Sequence, residues 1–361
     1  MRKLASIQKI VDLQPIPNAD RIEVATILGW QCIVKKGEFQ VGDLCVYFEI
    51  DSILPEKPVF EFMRDRKFRV RTIKLRKCVS MGLALPIKDV FTGTRILEEG
   101  DDVTKILGVK KYDPEGDREK KLIVKGGNKK RFFLFEYLRQ YAWFRNLLHK
   151  FGVGRKRNFP QFISKTDEER IQNIPHIFKQ KAGTVCYMTE KLDGQSATYA
   201  IYKNKFYVCS RNLTLYKKDG SAYWKIAEMY NIEKKLRNSG YKNIAIQTEN
   251  CGPGIQKNKY KLDKLTPFVF NIKDLDKEVY LNKDEKTTWC DIVGINHVPI
   301  ISYEFLLTED MDVNFMVDKS KGKSMVGKCK REGIVIRGII NDKFSFKCIN
   351  PEFLLQYEGD E

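Results

Sequence analysis

Lys191-Leu192-Asp193-Gly194 lies between two runs of strand character, Val185–Glu190 and Ser196–Ile201. A lysine at a strand end, followed by a carboxylate and a glycine turn, suits a covalent nucleophile aimed at a phosphoanhydride. The amine must shed its proton before it attacks, so neighbouring positive charge or a metal has to lower its pKa. Asp193 is spaced to help hold that metal. Alone, the tetrapeptide is a weak signal, because surface turns of this composition are common. The residues downstream, and their order, strengthen it.

Ser210-Arg211-Asn212 puts an arginine at the end of the strand-like run Lys205–Cys209. Asn243–Glu249 closes an apolar run with a carboxylate, just before the turn Cys251-Gly252-Pro253-Gly254. Pro267–Ile272 carries Phe270 at its centre, and Arg331–Arg337 opens on Glu332. In Lys343-Phe344-Ser345-Phe346-Lys347 the alternation puts Lys343, Ser345 and Lys347 on one strand face. Each has a plain structural reading too. Arg211 can be an exposed strand-end arginine, Glu332 a turn cap, and Phe270 a core aromatic.

These six elements, in this order, resemble the covalent nucleotidyltransferase superfamily of polynucleotide ligases and RNA capping enzymes. The resemblance covers the chain from about residue 160 to its end. The wording of Lys165–Pro175, Thr248–Gln256 and Ser345–Leu355 is similar to one branch, the ATP-dependent RNA ligases of the Deinococcus/Naegleria type. That branch carries an oligonucleotide-binding (OB) domain at its amino end.

The resemblance implies a role for each residue. Lys191 attacks the α-phosphorus of ATP, expels pyrophosphate and carries AMP as a phosphoramidate. Arg211 binds phosphate through its planar fork, and Lys347 binds the α-phosphate and offsets developing charge. Glu332 and Asp193 hold a divalent metal, Mg2+ or Mn2+, through its water shell, and Glu249 contacts the ATP ribose or a metal-bound water. Phe270 stacks on adenine, and Arg170 approaches the phosphate. Many relatives have a second lysine two positions after the Lys347 counterpart; this chain has Ile349 there, and Lys343 on the same face is the residue that compensates.

Residues 1–108 read as a separate β-domain. Short apolar runs such as Arg21–Ile27 and Leu44–Phe48 alternate with turn residues, as in a small barrel or sandwich. Pro15–Ala25, Gly29-Trp30 and Gly42-Asp43 resemble an OB fold. Its basic run Arg69–Lys77 could follow a phosphate backbone, with Arg69, Arg71 and Lys74 as RNA contacts. Residues 109–159 form a basic linker, with helical apolar spacing from Phe132 to Phe151. Residues 160–361 form the adenylyltransferase domain. The fold class expected is α+β: an OB-type barrel followed by a nucleotidyltransferase domain built on antiparallel sheets with flanking helices.

The chain of 361 residues has room for two domain cores, and its net charge of +18 favours a polyanionic partner. No apolar stretch is long enough to span a bilayer, and Met1-Arg2-Lys3-Leu4 lacks the core of a signal peptide. Nine cysteines without a C-x-x-C pair argue for free thiols in a reducing, cytoplasmic-type compartment rather than secretion.

The activity expected is ATP-dependent joining of RNA 5′-phosphate and 3′-hydroxyl ends, by a monomer acting at nicked duplexes as the resembled family does. One rival is a GTP-using capping enzyme or a DNA ligase. Those usually carry the OB domain after the catalytic one, and here little chain follows Lys347. The other rival is a nucleic-acid binder with a decayed ligase site. Intact Lys191, Glu249, Glu332 and Lys347 argue against it.

Overall fold

The first strand, Ala5–Pro15, is buried over Ala5–Gln8 and more exposed in its second half. The computed structural model describes residues 2–91, 96–113, 158–165, 167–217, 220–339 and 344–358. The helical pattern at Phe132–Phe151 and Lys343 lie outside these residues. The strands in chain order begin with β1 (Ala5–Pro15), β2 (Ile22–Ile27), β3 (Trp30–Lys35), β4 (Leu44–Phe48) and β5 (Ser52–Ile53). They continue with β6 (Thr72–Leu75), β7 (Cys78–Met81), β8 (Leu83–Pro86), β9 (Lys110–Lys111) and β10 (Glu169–Arg170). Next come β11 (Val185–Lys191), β12 (Gln195–Tyr202), β13 (Lys205–Ser210), β14 (Thr214–Leu215) and β15 (Ile244–Cys251). The last are β16 (Thr266–Asp274), β17 (Val279–Tyr280), β18 (Ile300–Leu306), β19 (Gly333–Gly338) and β20 (Ser345–Ile349).

The chain folds as two compact units that do not follow sequence order: residues 1–112, 167–192 and 299–361 form one, and 113–166 with 193–298 the other. In the first unit, β1 pairs with β4 through its first half and with β2 through its second, after an irregularity between Ile10 and Asp12. Such a shift bends a strand. It lets β3-β2-β1-β4-β8 curl around a core of Trp30, Tyr47, Ile10 and Ile27 on one side and Phe48, Phe60 and Ile7 on the other. The expected basic strand is shorter than Arg69–Lys77. It becomes the hairpin β6–β7, turned by Arg76 and Lys77 at φ 47° and 69°.

The same unit contains a second sheet, β10-β20-β19-β11-β18, antiparallel except where β10 runs parallel to β20. Its core is Met188, Ile334, Ile336, Phe346 and Cys348, closed by the helix Val313–Ser320. The amino-terminal domain packs directly on this sheet's edge. Gly29 N–H donates to Gln172 O at 2.9 Å, and Trp30 Nε1–H donates to Asn173 Oδ1 at 2.7 Å. A side chain at Gly29 would strike Val313, so this junction requires glycine.

The second unit is a six-stranded antiparallel sheet, β14-β13-β12-β15-β16-β17. Helices Ala222–Met229, Ile232–Arg237 and Lys283–Val293 bury Ile226, Leu236 and Trp289 against Tyr199, Ile246 and Ile272. The mixture of antiparallel sheets and flanking helices after an OB-type barrel is the α+β class expected from the sequence. None of the nine cysteines forms a disulfide, and seven are buried.

Candidate active site

Lys191 is the last residue of β11, whose five preceding residues are buried, so the sheet delivers its side chain to the strand end. Opposite it in register is Gly333, where a Cβ would run into Cys348 O; glycine lets β19 and β20 close up beside the lysine. Lys191 Nζ donates to Glu332 Oε1 at 2.5 Å. Glu332 is itself fixed by the start of the next helix, since Asn350 N–H donates to its carbonyl at 2.8 Å.

Lys347 on β20 is the parallel register partner of Arg170 on β10. Its amine donates to Asp167 Oδ1 at 2.9 Å. Burial, reinforced by the cations Arg170 and Lys191, lowers its pKa to about 8, although Asp167 pulls the other way. The sheet end thus gathers three cations, Lys191, Lys347 and Arg170, each with a carboxylate partner: Glu332, Asp167 and Asp51. Such a cluster is suited to an anion.

In the second unit, Asp193 forms an ion pair with Lys259, and its N–H donates to Tyr260 Oη at 2.7 Å. Gly194 N–H donates to Glu249 Oε1 at 3.0 Å. The glycine is required by packing, because a Cβ there would collide with Asn250 O. Phe270 lies where the β15–β16 register shifts: Thr248 faces Val269 and Gln247 faces Asn271, leaving Phe270 as the extra residue. A bulge re-aims the side chain it carries, and Phe270 is half-buried although Thr266–Val269 before it are fully buried. Arg211 follows β13 and is half-buried; its neighbour Asn212 accepts Lys165 Nζ at 3.1 Å.

Comparison with known families and structures decides what this arrangement belongs to. A family model described as an OB-fold domain matches residues 4–87, and one described as RNA ligase matches residues 184–349. Comparison with curated proteins gave no match. Among solved structures, Naegleria gruberi RNA ligase with PPi is 31% identical, with 100% of each chain covered and a TM-score of 0.81. Point mutants of the same enzyme, one with AMP and Mn and one with ATP and Mn, are 32% and 31% identical. They cover 98% of both chains, at TM-scores of 0.80 and 0.79. The chain belongs to the RNA ligase family.

In this ligase several residues are placed differently from the sequence-based expectation. Arg69 is not an exposed phosphate contact. It is buried, donates to Asp51 Oδ1 at 3.0 Å and stacks on Tyr112 with its Cζ 3.6 Å from the ring centroid. It precedes the hairpin, where alternation no longer governs facing. Arg71 is half-buried, and only Lys74 of the three is exposed. Arg170 Nη2 pairs with Asp51 Oδ2 at 3.4 Å, and its Cζ lies 5.5 Å from the Trp30 ring centroid. Its Nε and Nη1 have no hydrogen-bond partner among the described residues.

Other site residues of the ligase were not read from the sequence. Asp167 is one. Glu190 is another: it is fully buried, with its carboxyl pushed up by burial, and its Oε2 accepts Met325 N–H at 2.7 Å. That bond anchors the loop leading to Glu332. The polar residue preceding the nucleophile in an otherwise apolar strand was the available signal. Lys259 and Tyr260 sit in the run Lys257-Asn258-Lys259-Tyr260-Lys261, which composition alone reads as solvated turn.

Asp193, Glu249 and Glu332 each offer carboxylate oxygens, the donor type that a hard divalent cation takes. Among the described residues, no group of three His, Cys, Asp or Glu is placed to hold a metal ion.

Proposed function

We propose that this RNA ligase uses ATP and a divalent cation to seal RNA 5′-phosphate and 3′-hydroxyl ends at nicks in duplexes, through lysyl-AMP and RNA-adenylate intermediates. The observation that carries the reading is the Lys191–Glu332 contact beside Lys347. A strand-end amine is held in place next to a half-buried cation able to receive an α-phosphate. Lys191 Nζ, once deprotonated, forms the N–P bond while the bond from the α-phosphorus to the bridging oxygen breaks and pyrophosphate leaves. Lys347 and Arg211 balance the charge on the phosphate oxygens. AMP then moves to the RNA 5′-phosphate, and the 3′-hydroxyl displaces it.

Glu332, Glu249 and Asp193 would hold Mg2+ or Mn2+ through water; when bound, the cation stabilises charge on the phosphate and lowers the amine's pKa. Phe270, turned out of its strand by the bulge, would stack on adenine. Arg170 carries two donor groups free of protein partners among the described residues, which supports a phosphate role beside Lys347. Lys343, outside the described residues, keeps its expected supporting role.

In domain terms, residues 1–108 would engage RNA, 109–159 link, and 160–361 transfer the adenylyl group, all within a monomer. No helix among the described residues is long and apolar enough to cross a membrane. The test is sealing of a labelled nicked RNA duplex against joining of the same strands unannealed. Sealing with ATP and Mg2+ or Mn2+, at least ~10-fold faster at the nick, is the expected result. Joining of free ends at equal rate removes the nick preference.

A further inference from the structure

Two segments of the first unit carry several cations and not one carboxylate. Residues 71–77 hold Arg71, Lys74, Arg76 and Lys77; residues 319–331 hold Lys319, Lys321, Lys323, Lys328, Lys330 and Arg331. They are about 240 residues apart in sequence, yet the fold brings them to one carboxylate. The helix Pro351–Glu358 packs on β6, and its Glu352 accepts Lys330 Nζ at 2.7 Å. Lys330 depresses the Glu352 carboxyl, and Lys321 and Lys74 act on it in the same sense. Three lysines from these two segments therefore act on a single acid.

Most of the remaining charge is uncompensated. Lys321 pairs with Asp318 at 2.7 Å. Lys74, Arg76, Lys77, Lys323 and Lys328 are exposed and form no ion pair among the described residues. The hairpin holds two of them rigidly, because its two-residue turn has Arg76 and Lys77 in the left-handed region.

This surface starts at the nucleophile. Asn350, immediately before the helix, donates through Nδ2 to Arg331 O at 3.0 Å and through its N–H to Glu332 O at 2.8 Å. Glu332 in turn meets Lys191 at 2.5 Å. The group that accepts AMP is itself an RNA phosphate, so the strand carrying it must leave across the surface beside Lys191. On one side that surface is this run of cations.

We propose that the hairpin β6–β7 and the loop at residues 319–331 together form the track that holds the RNA phosphate backbone beside Lys191. The proposal rests on the ligase reading and names the surface through which the substrate is held. It replaces the expectation that Arg69 serves this purpose: the contacts lie further along the chain, on the hairpin, and on a segment remote in sequence.

The test uses the full chain with Lys74, Lys77, Lys323 and Lys328 all changed to alanine, alongside the corresponding fourfold arginine variant. Affinity for a nicked RNA duplex is measured across a salt series, with thermal melting to confirm folding. The alanine variant should bind at least ~10-fold more weakly, and its log K against log salt slope should fall by roughly 4, near one unit per lost phosphate contact. The arginine variant should keep both. AMP transfer to the enzyme from ATP without RNA is measured separately and should persist in both variants. Unchanged affinity and slope in a folded alanine variant overturn the proposal. So does loss of binding to anionic phosphatidylglycerol vesicles with RNA affinity intact, which would assign the surface to membranes. If the parent chain forms no adenylate yet shows the expected salt behaviour, the ligase reading fails and the RNA track stands.

Discussion

Lys191 Nζ and Glu332 Oε1 are 2.5 Å apart, joined across the antiparallel pair that sets Lys191 opposite Gly333. The contact pins a long, flexible amine at a defined strand end, where it would otherwise sample many rotamers. It also favours the protonated amine, so attack on phosphorus needs that proton to leave. Removing Glu332 therefore takes away a restraint that favours attack together with a charge that keeps the proton on the amine, two losses of opposite sign.

Replacing Glu332 separates them. We expect Glu332→Ala to slow enzyme adenylylation by about 10²-fold or more even at saturating ATP, the scale seen when a charge-placing group is lost. Single-turnover kinetics with labelled ATP measures it. A rate equal to or above the parent's would mean that Glu332 only restrains an ammonium.

Lys347 should impose a pH dependence. Burial and the neighbouring cations hold its amine near 8, so it is charged below that value and neutral above it. An anion bound there favours the charged form, so ATP binding should weaken as pH rises through about 8 and take up a proton in that range. In Lys347→Arg the guanidinium stays charged, and the weakening should vanish. ATP titration calorimetry in two buffers of different ionisation enthalpy checks the proton uptake.

Phe270 can be tested as a stacking residue against its alternative as core. Because it is the extra residue of a bulge and half-buried, Phe270→Ala should raise the KM for ATP severalfold. It should also destabilise the fold by less than the ~3–5 kcal/mol typical of a buried phenylalanine. Urea unfolding and ATP kinetics on one preparation give both numbers. A full core-sized loss with normal KM would return Phe270 to the core.

Asp51 ties the OB-type domain to the ligase sheet. Burial alone would raise its carboxyl, but Arg170, Arg2 and Arg69 outweigh that and hold it below its ordinary value of 3.8. A depressed folded-state value means the stabilisation is fully present above about 3.8 and is lost as pH falls through the folded-state value. Asp51→Asn should cost about 3 kcal/mol at neutral pH, since it leaves buried guanidinium groups without their counter-charge. The variant's deficit should shrink as the pH drops below 3.8. Chemical denaturation at pH 7 and in acid measures both.

Much of this site was legible because its residues sit at strand ends, where a turn signal and a functional side chain coincide. Lys191, Glu332 and Lys347 fall on three strands of one sheet or at their ends. The reason for Gly194 was not legible: it makes room for Asn250 O, a contact 56 residues away. Nor could alternation reveal that Arg69 turns inward, since the strand it was assigned to begins only at Thr72. Arg170 and Asp51 illustrate the same limit. Their pairing depends on how one domain seats on another sheet's edge, and no local pattern encodes that.

The most direct test of the central claim is intact and peptide mass spectrometry of the protein after incubation with ATP and Mg2+ or Mn2+. One AMP should appear, on Lys191, through a bond that breaks in acid and survives alkali. Lys191→Ala should gain none, yet still seal a nick whose 5′ end is already adenylylated. An adduct of undiminished yield in Lys191→Ala, or on another residue of the parent chain, would contradict the account.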